Sequence, residues 1–199
     1  MNRIKEDHSK TEIVVRQIRL EGTAEIMFDR YAGDNSTQLE PWQKLYFDHD
    51  QETLVMPSPN IVSFLSAHNT NSAPKRLLDK RKYKDVANAL LSYTTISPAM
   101  IPFLRNEEPI KFGKFDGDRD SKSGVYIHRS VARLDKGIPN PKVRPVLPLP
   151  WALEFALTIM PNKEVVEQQI INLFETGGIA IGLGTFRGVF GKFRVERWD

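Results

Sequence analysis

Gly177-Gly178-Ile179-Ala180-Ile181-Gly182-Leu183-Gly184-Thr185-Phe186-Arg187-Gly188-Val189-Phe190-Gly191-Lys192-Phe193-Arg194-Val195 holds six of the chain's twelve glycines, set among aromatics and cations. Flexible linkers are rich in Gly and Ser and poor in apolar residues, whereas here bulky side chains fill nearly every gap. Such glycines mark backbone that approaches something closely, or that bends where a Cβ would clash. Arg187, Lys192 and Arg194 add positive charge, so a negatively charged ligand that contacts the backbone is the expected partner. Just upstream, Asn162 is placed to cap a helix over Lys163 to Phe174, whose Val165, Val166, Ile170, Leu173 and Phe174 share one apolar face. Downstream, Gly191 to Trp198 reads as a final strand. A helix that passes through a glycine-rich turn into a strand closes an α+β unit.

Working back from that turn, Trp151 to Ile159 is a strong strand candidate, preceded by a proline-rich bend, Gly137 to Pro150. Gly124 to Leu134 alternates, with Val125, Ile127 and Val131 apolar and His128, Arg129 and Arg133 polar. Thr94 to Phe103 is apolar and β-branched but carries Pro98 and Pro102, which predicts an edge strand. The basic run Lys75-Arg76 and Lys80 to Lys84 reads as the solvated face of a helix ending near Ser92. Ile61 to Ala67 has helical spacing, with Ser58 or Asn60 as its N-cap. The first strand candidate is Glu12 to Phe28, with a bend expected near Gly22. The skeleton is an antiparallel α+β, ferredoxin-like (RRM-like) βαββαβ sheet with helices on one face and a C-terminal glycine-rich loop. Residues 1–199 form one predicted domain, with inserted loops at about 29–53 and 104–123.

Composition bounds the function. A chain of 199 residues with 40% apolar content is long enough to bury a core. Its net charge of +3 permits nucleic-acid binding without requiring it. The absence of cysteine excludes disulfides, thiolate zinc sites and cysteine nucleophiles. The polar start Met1 to Lys10 has no signal-peptide core and no stretch suits a membrane span, so a cytoplasmic location is expected. No phosphate-loop motif occurs. Gly182, Gly184 and Gly188 miss the dinucleotide spacing by one residue and follow a helix rather than a strand. Asp116 to Asp120 starts like a calcium loop, but Ser121 and Ile127 stand where Gly and Glu are needed. No metal and no cofactor is expected.

The order of landmarks resembles the RAMP superfamily, particularly the CRISPR effector backbone subunits that polymerise along guide RNA. The resemblance rests on a strand followed by a long loop, a Pro-Ser helix start in Leu54 to Leu65, an arginine-proline element in Val143 to Phe155, and the helix followed by the 177–191 segment. It implies antiviral defence, single-stranded RNA (guide-like) or single-stranded DNA as ligand, and self-association or docking with other effector subunits. A stand-alone or phage-borne relative fits the short length as well as an effector subunit does.

Single-strand binding on such a fold uses backbone amides and cations on phosphates and aromatics on bases. The candidate residues are Gly178, Gly182, Gly184, Phe186, Arg187, Gly188, Lys192 and Arg194 on the turn, with Phe190 as a second stacking ring. Arg129, Arg133, Lys142 and Arg144 would extend a basic path, and Ser58 and Asn60 mark the first helix. Two further readings stay open. A RAMP-fold endoribonuclease would use a loop acid or histidine, with Asp34 and His49 as candidates. A protein-interaction module or decoy would keep the fold and have no affinity for RNA.

Overall fold

The computed structural model describes residues 12–34, 36–66, 71–133, 137 and 139–199. Its elements run β1 (Val14–Gly22), β2 (Ile26–Met27), a 3-10 turn (Pro41–Lys44), β3 (Phe47–Asp48), β4 (Thr53–Pro57), α1 (Ser58–Leu65), α2 (Ala73–Leu77), α3 (Tyr83–Tyr93), β5 (Thr94–Ser97) and β6 (Met100–Arg105). They continue with β7 (Glu108–Pro109), β8 (Phe115–Asp116), β9 (Arg119–Asp120), β10 (Tyr126–Arg133), β11 (Pro139–Leu147), β12 (Ala152–Ile159), α4 (Glu167–Ala180) and β13 (Phe193–Trp198). The larger sheet has the order β13-β1-β12-β6-β4-β3, with β5 also on β12 and β7 on β6. A smaller sheet has the order β2-β11-β10-β9-β8.

The period-2 pattern of β1 decides which side of the larger sheet is buried. Ile18 lies opposite Phe155 and Leu20 opposite Leu153, and all four are buried. The helices cover this side. The ring of Phe155 lies 6.2 Å from that of Phe174 in α4, and Phe64 of α1 lies 5.6 Å from Phe174 and 5.7 Å from Phe193 of β13. Removing the Phe64 ring would cost about 3–5 kcal/mol, the usual penalty for a buried phenylalanine. The α+β class with antiparallel sheets holds, and helices between β1 and β6 and between β12 and β13 are consistent with a ferredoxin-like layout. No helix among the described residues is long and apolar enough to cross a membrane.

Four local expectations change. Residues 94–105 form two strands on the same flank of β12: β5 has β12 as its one strand partner among the described residues, as an edge strand does, whereas β6 is interior, pairing with β12 and β4. Pro98 falls in the turn between them, and Pro102 pairs with Val55 of β4, while β12 pairs only with Phe103 and Leu104. The expected bend 137–150 contains a nine-residue strand, β11, in register with β10 from Pro139 to Val146. Pro139, Pro141 and Pro145 share one parity, so all three missing N–H groups fall on the side away from β10 and leave the β10–β11 ladder intact; on that outer side β2 pairs with Val146 and Leu147, and Pro145 contributes its carbonyl to Phe28 N–H. The basic helix is broken into α2 and α3. Finally, Asn162 caps a turn rather than a helix, its Oδ1 accepting from the N–H groups of Glu164 (3.0 Å) and Val165 (2.8 Å). The helix starts at Glu167 and runs on through Gly177 and Gly178 to Ala180. The helix α1 ends at Leu65, and Ala67, where the sequence places its end, lies outside the described residues.

Candidate nucleic-acid interface

The glycine-rich stretch divides into a packed part and an exposed part. Gly177 and Gly178 belong to α4: a Cβ on Gly177 would sit 2.5 Å from the Phe64 ring, and one on Gly178 would sit 2.5 Å from the carbonyl oxygen of Phe193. These two glycines let helix and strand touch. Gly182 and Gly184 lie against backbone too, with Cβ positions 2.6 Å from Gly191 O and 2.5 Å from Met27 O. Gly188 differs, with a φ of +94° and open space around its Cα. The turn is anchored beneath by Thr185 N–H to Met27 O (2.9 Å) and Gly191 N–H to Glu25 O (2.7 Å).

At the exposed end Phe186 is 58% accessible and has a φ of +52°. A bulky residue in the left-handed region costs of order 1–3 kcal/mol, and such outliers gather at functional sites. Its ring lies 6.0 Å from Phe190, which in turn meets His128 of β10 edge-on at 5.6 Å. Phe186, Phe190 and His128 therefore form an aromatic row joining the turn to the β10–β11 hairpin. Cross-strand pairing puts Arg144 beside His128, and Lys142 beside Ser130 on the next rung of the same face. This hairpin face is braced by Tyr126, which donates to Glu25 Oε2 at 2.7 Å. Burial, then that hydrogen bond, pushes the Tyr126 hydroxyl up to about 12, so it remains a donor.

Among the candidate cations, compensation separates two groups. Arg129 lies on the other face of the hairpin and forms a bidentate pair with Asp118. Arg144 donates to Asp29 at 2.7 Å, and Lys44 lies 3.5 Å from the same carboxylate. Arg194 contacts Glu21 at 2.8 Å and Glu196 at 3.2 Å on the opposite, open side of the larger sheet. Arg187, by contrast, donates to two carbonyls, Gly184 O at 3.1 Å and Asn71 O at 3.2 Å. Burial lowers its pKa, but a guanidinium stays charged at neutral pH. It clasps the turn to the stretch before α2 and has no carboxylate partner among the described residues, next to Phe186. Lys142 and Lys192 have no ion-pair partner among the described residues. Arg133 closes β10 opposite Pro139, and its side chain lies outside what the structure describes.

The remaining candidates sit apart. Ser58 and Asn60 are half-buried at the start of α1; Ser58 N–H donates to Ala99 O at 2.8 Å, and the Asn60 amide lies 3.4 Å from Met56 Sδ. No hydrogen bond or ring contact among the described residues joins them to the turn. Both Asp34 oxygens accept from Ser36 and Thr37 at 2.6–2.7 Å, and these bonds, the Ser36 hydroxyl first, hold the carboxyl well below its ordinary value. Asp34 thus caps its own turn. His49 stacks on Phe47 with centroids 6.0 Å apart, far along the chain from the aromatic row. The sequence reading missed His128, because only the register of β10 against β11 and the docking of the turn bring it beside Phe190.

No family model matches the chain, and no curated protein matches it. Among solved structures, it is similar to a chain of the cryo-EM structure of the Type III-B Cmr-beta bound to cognate target RNA, with 11% identity and a TM-score of 0.53. The match covers 98% of this chain and 63% of that one. At this identity the likeness bears on the fold, and it is consistent with the RAMP-like arrangement implied by the sequence landmarks.

Proposed function

We propose that this chain is a RAMP-like protein that binds single-stranded RNA on the surface formed by residues 184–192 and the facing side of the β10–β11 hairpin. The observation that carries this reading is Phe186: an exposed aromatic in a left-handed conformation, at the end of an aromatic row and next to an uncompensated arginine. Bases stack on Phe186, Phe190 and His128, while Arg187, Lys142 and Lys192 meet phosphates. Stacking and phosphate contacts carry little base information, so the binding is tolerant of sequence. The fold likeness to a chain from an RNA-bound Cmr assembly supports the same reading, and association with effector subunits follows from it as a proposal.

The test is fluorescence anisotropy with a labelled single strand of about 30 nucleotides, RNA and DNA in parallel, between about 50 and 200 mM salt. Wild type should bind with a salt slope that the Arg187→Ala/Lys142→Ala/Lys192→Ala variant reduces by about 2, since each phosphate contact on a single strand contributes about 0.7. Failure of the folded wild type to bind either strand would overturn the proposal and turn the search to a protein partner. RNA cleavage during the titration would instead favour the endoribonuclease reading.

A further inference from the structure

A second aromatic surface lies where residues 30–49 face residues 112–115. It is a cavity of about 790 Å³, within the size range of ligand sites. Phe47 stands on its floor, edge-on to Phe112 at 4.9 Å, and Phe112 is edge-on to Phe115 at 5.4 Å. His49 extends the floor by stacking on Phe47, tilted by 23°. Tyr31 and Trp42 border the cavity and are 64% and 50% exposed, a large aromatic area left in water. Trp42 is held in place. Its 3-10 turn begins with a reciprocal cap between Glu40 and Gln43, and Lys44 ties the turn to β11 by donating to Val143 O at 2.7 Å.

The lining also carries charge. Arg30 and Lys114 both border the cavity, and neither has an ion-pair partner among the described residues; Glu52 is the one carboxylate beside them. Flat aromatic walls with two uncompensated cations suit a ligand that joins a planar ring to an anion. A wholly apolar peptide segment would leave both cations unanswered.

We infer that this cavity holds an unstacked nucleotide of the bound single strand, its base against Trp42 and the Phe47–His49 stack and its phosphate at Arg30 and Lys114. The inference rests on the single-strand binding proposed above and adds a second point of contact to it. Base stacking on an aromatic contributes about 1–3 kcal/mol, which converts to about a 5- to 150-fold change in affinity.

The experiment is photocrosslinking of 4-thiouridine-substituted single-stranded RNA, mapped by peptide mass spectrometry, alongside anisotropy titrations of wild type, Trp42→Ala, Trp42→Phe and Phe186→Ala. Matching melting temperatures establish that each variant folds. The expected result is crosslinks in peptides containing Tyr31 or Trp42 as well as in residues 184–192. Trp42→Ala should weaken binding about 5- to 150-fold and lose the cavity crosslinks, Trp42→Phe should recover most of both, and Phe186→Ala should keep the cavity crosslinks. Wild-type affinity in Trp42→Ala, with crosslinks confined to 184–192, would overturn the nucleotide as occupant and leave the turn intact as a binding surface. Absence of RNA binding by wild type would overturn both proposals.

Discussion

The open side of the larger sheet and the turn–hairpin surface carry cations of similar kind, yet they are prepared for different things. On the open side, Arg19 of β1 contacts Glu107 and Glu154 at 2.7 Å each, Arg197 reaches Glu154 at 3.3 Å, and Arg194 pairs with Glu21. The hydrogen bonds that Arg19 donates to Glu107 and then to Glu154 raise its pKa, and the hydrogen bond donated by Arg194 leads the causes that hold Glu21 below its ordinary value. That surface answers its own charge. On the turn and hairpin, Arg187, Lys142 and Lys192 have no carboxylate partner among the described residues, and Arg187 is next in sequence to the exposed ring of Phe186. A count of cations along the chain gives no means of separating the two regions; the distribution of carboxylates does. The sheet side that RRM-like proteins expose is here an ion-pair lattice, and the cations without carboxylate partners among the described residues lie on the turn and the hairpin.

Three substitutions sharpen or break this contrast beyond the triple cation variant. Phe186→Ala, which removes a ring but no charge, should weaken single-stranded RNA binding about tenfold with an unchanged salt slope, read by anisotropy. An effect that appeared only as a lower melting temperature would reassign Phe186 to packing. Arg194→Ala combined with Arg197→Ala should leave RNA affinity within about twofold of wild type, because these charges are already answered, and lower the urea midpoint only slightly, as solvent-screened surface pairs do. A large loss of affinity there would erase the distinction between the two surfaces.

The smallest effect concerns pH. Arg16 donates to Glu167 at 2.5 and 3.0 Å, and Trp198 adds a bond to the same carboxylate at 2.8 Å. The Arg16 hydrogen bond is the leading cause holding Glu167 below its ordinary 4.5. A carboxylate lowered in this way contributes stability fully above that ordinary value and loses it as the pH falls through the lowered one. The melting temperature should therefore be level from neutral pH down to about 5 and decline below it, with Arg16→Ala flattening that decline by the equivalent of less than about 1 kcal/mol.

Much of the architecture was legible from period and punctuation. The strand candidates Glu12 to Phe28 and Trp151 to Ile159 contain the neighbouring strands β1 and β12, and the glycine-rich stretch marked the junction of α4 with β13. What misled was chemistry that changes meaning with position. Prolines at 139, 141 and 145 argue for a bend until their common parity, away from the β10 ladder, is seen. Asn162 is a sound capping residue that caps a turn instead. At the site, sequence picked out Phe186 and Arg187 but not the reason most neighbouring glycines are there, which is contact with the protein's own backbone. Compensation by Asp118, Asp29 and Glu21 was illegible because those partners are 11, 115 and 173 residues away from Arg129, Arg144 and Arg194.

The one-sided prolines of β11 have a further effect. A free strand edge normally invites another chain to continue the sheet, and a long hairpin built only of hydrogen-bonding residues would be a seed for such growth. On β11 that side is closed twice over: β2 pairs with Val146 and Leu147, Phe28 N–H and Lys44 occupy the carbonyls of Pro145 and Val143, and at the far end Pro139 and Pro141 have no N–H to give, so a second copy finds few groups to zip onto. The hairpin can remain an arm reaching toward a ligand without becoming an adhesive, and copies arrayed along one strand would have to meet through some surface other than this edge.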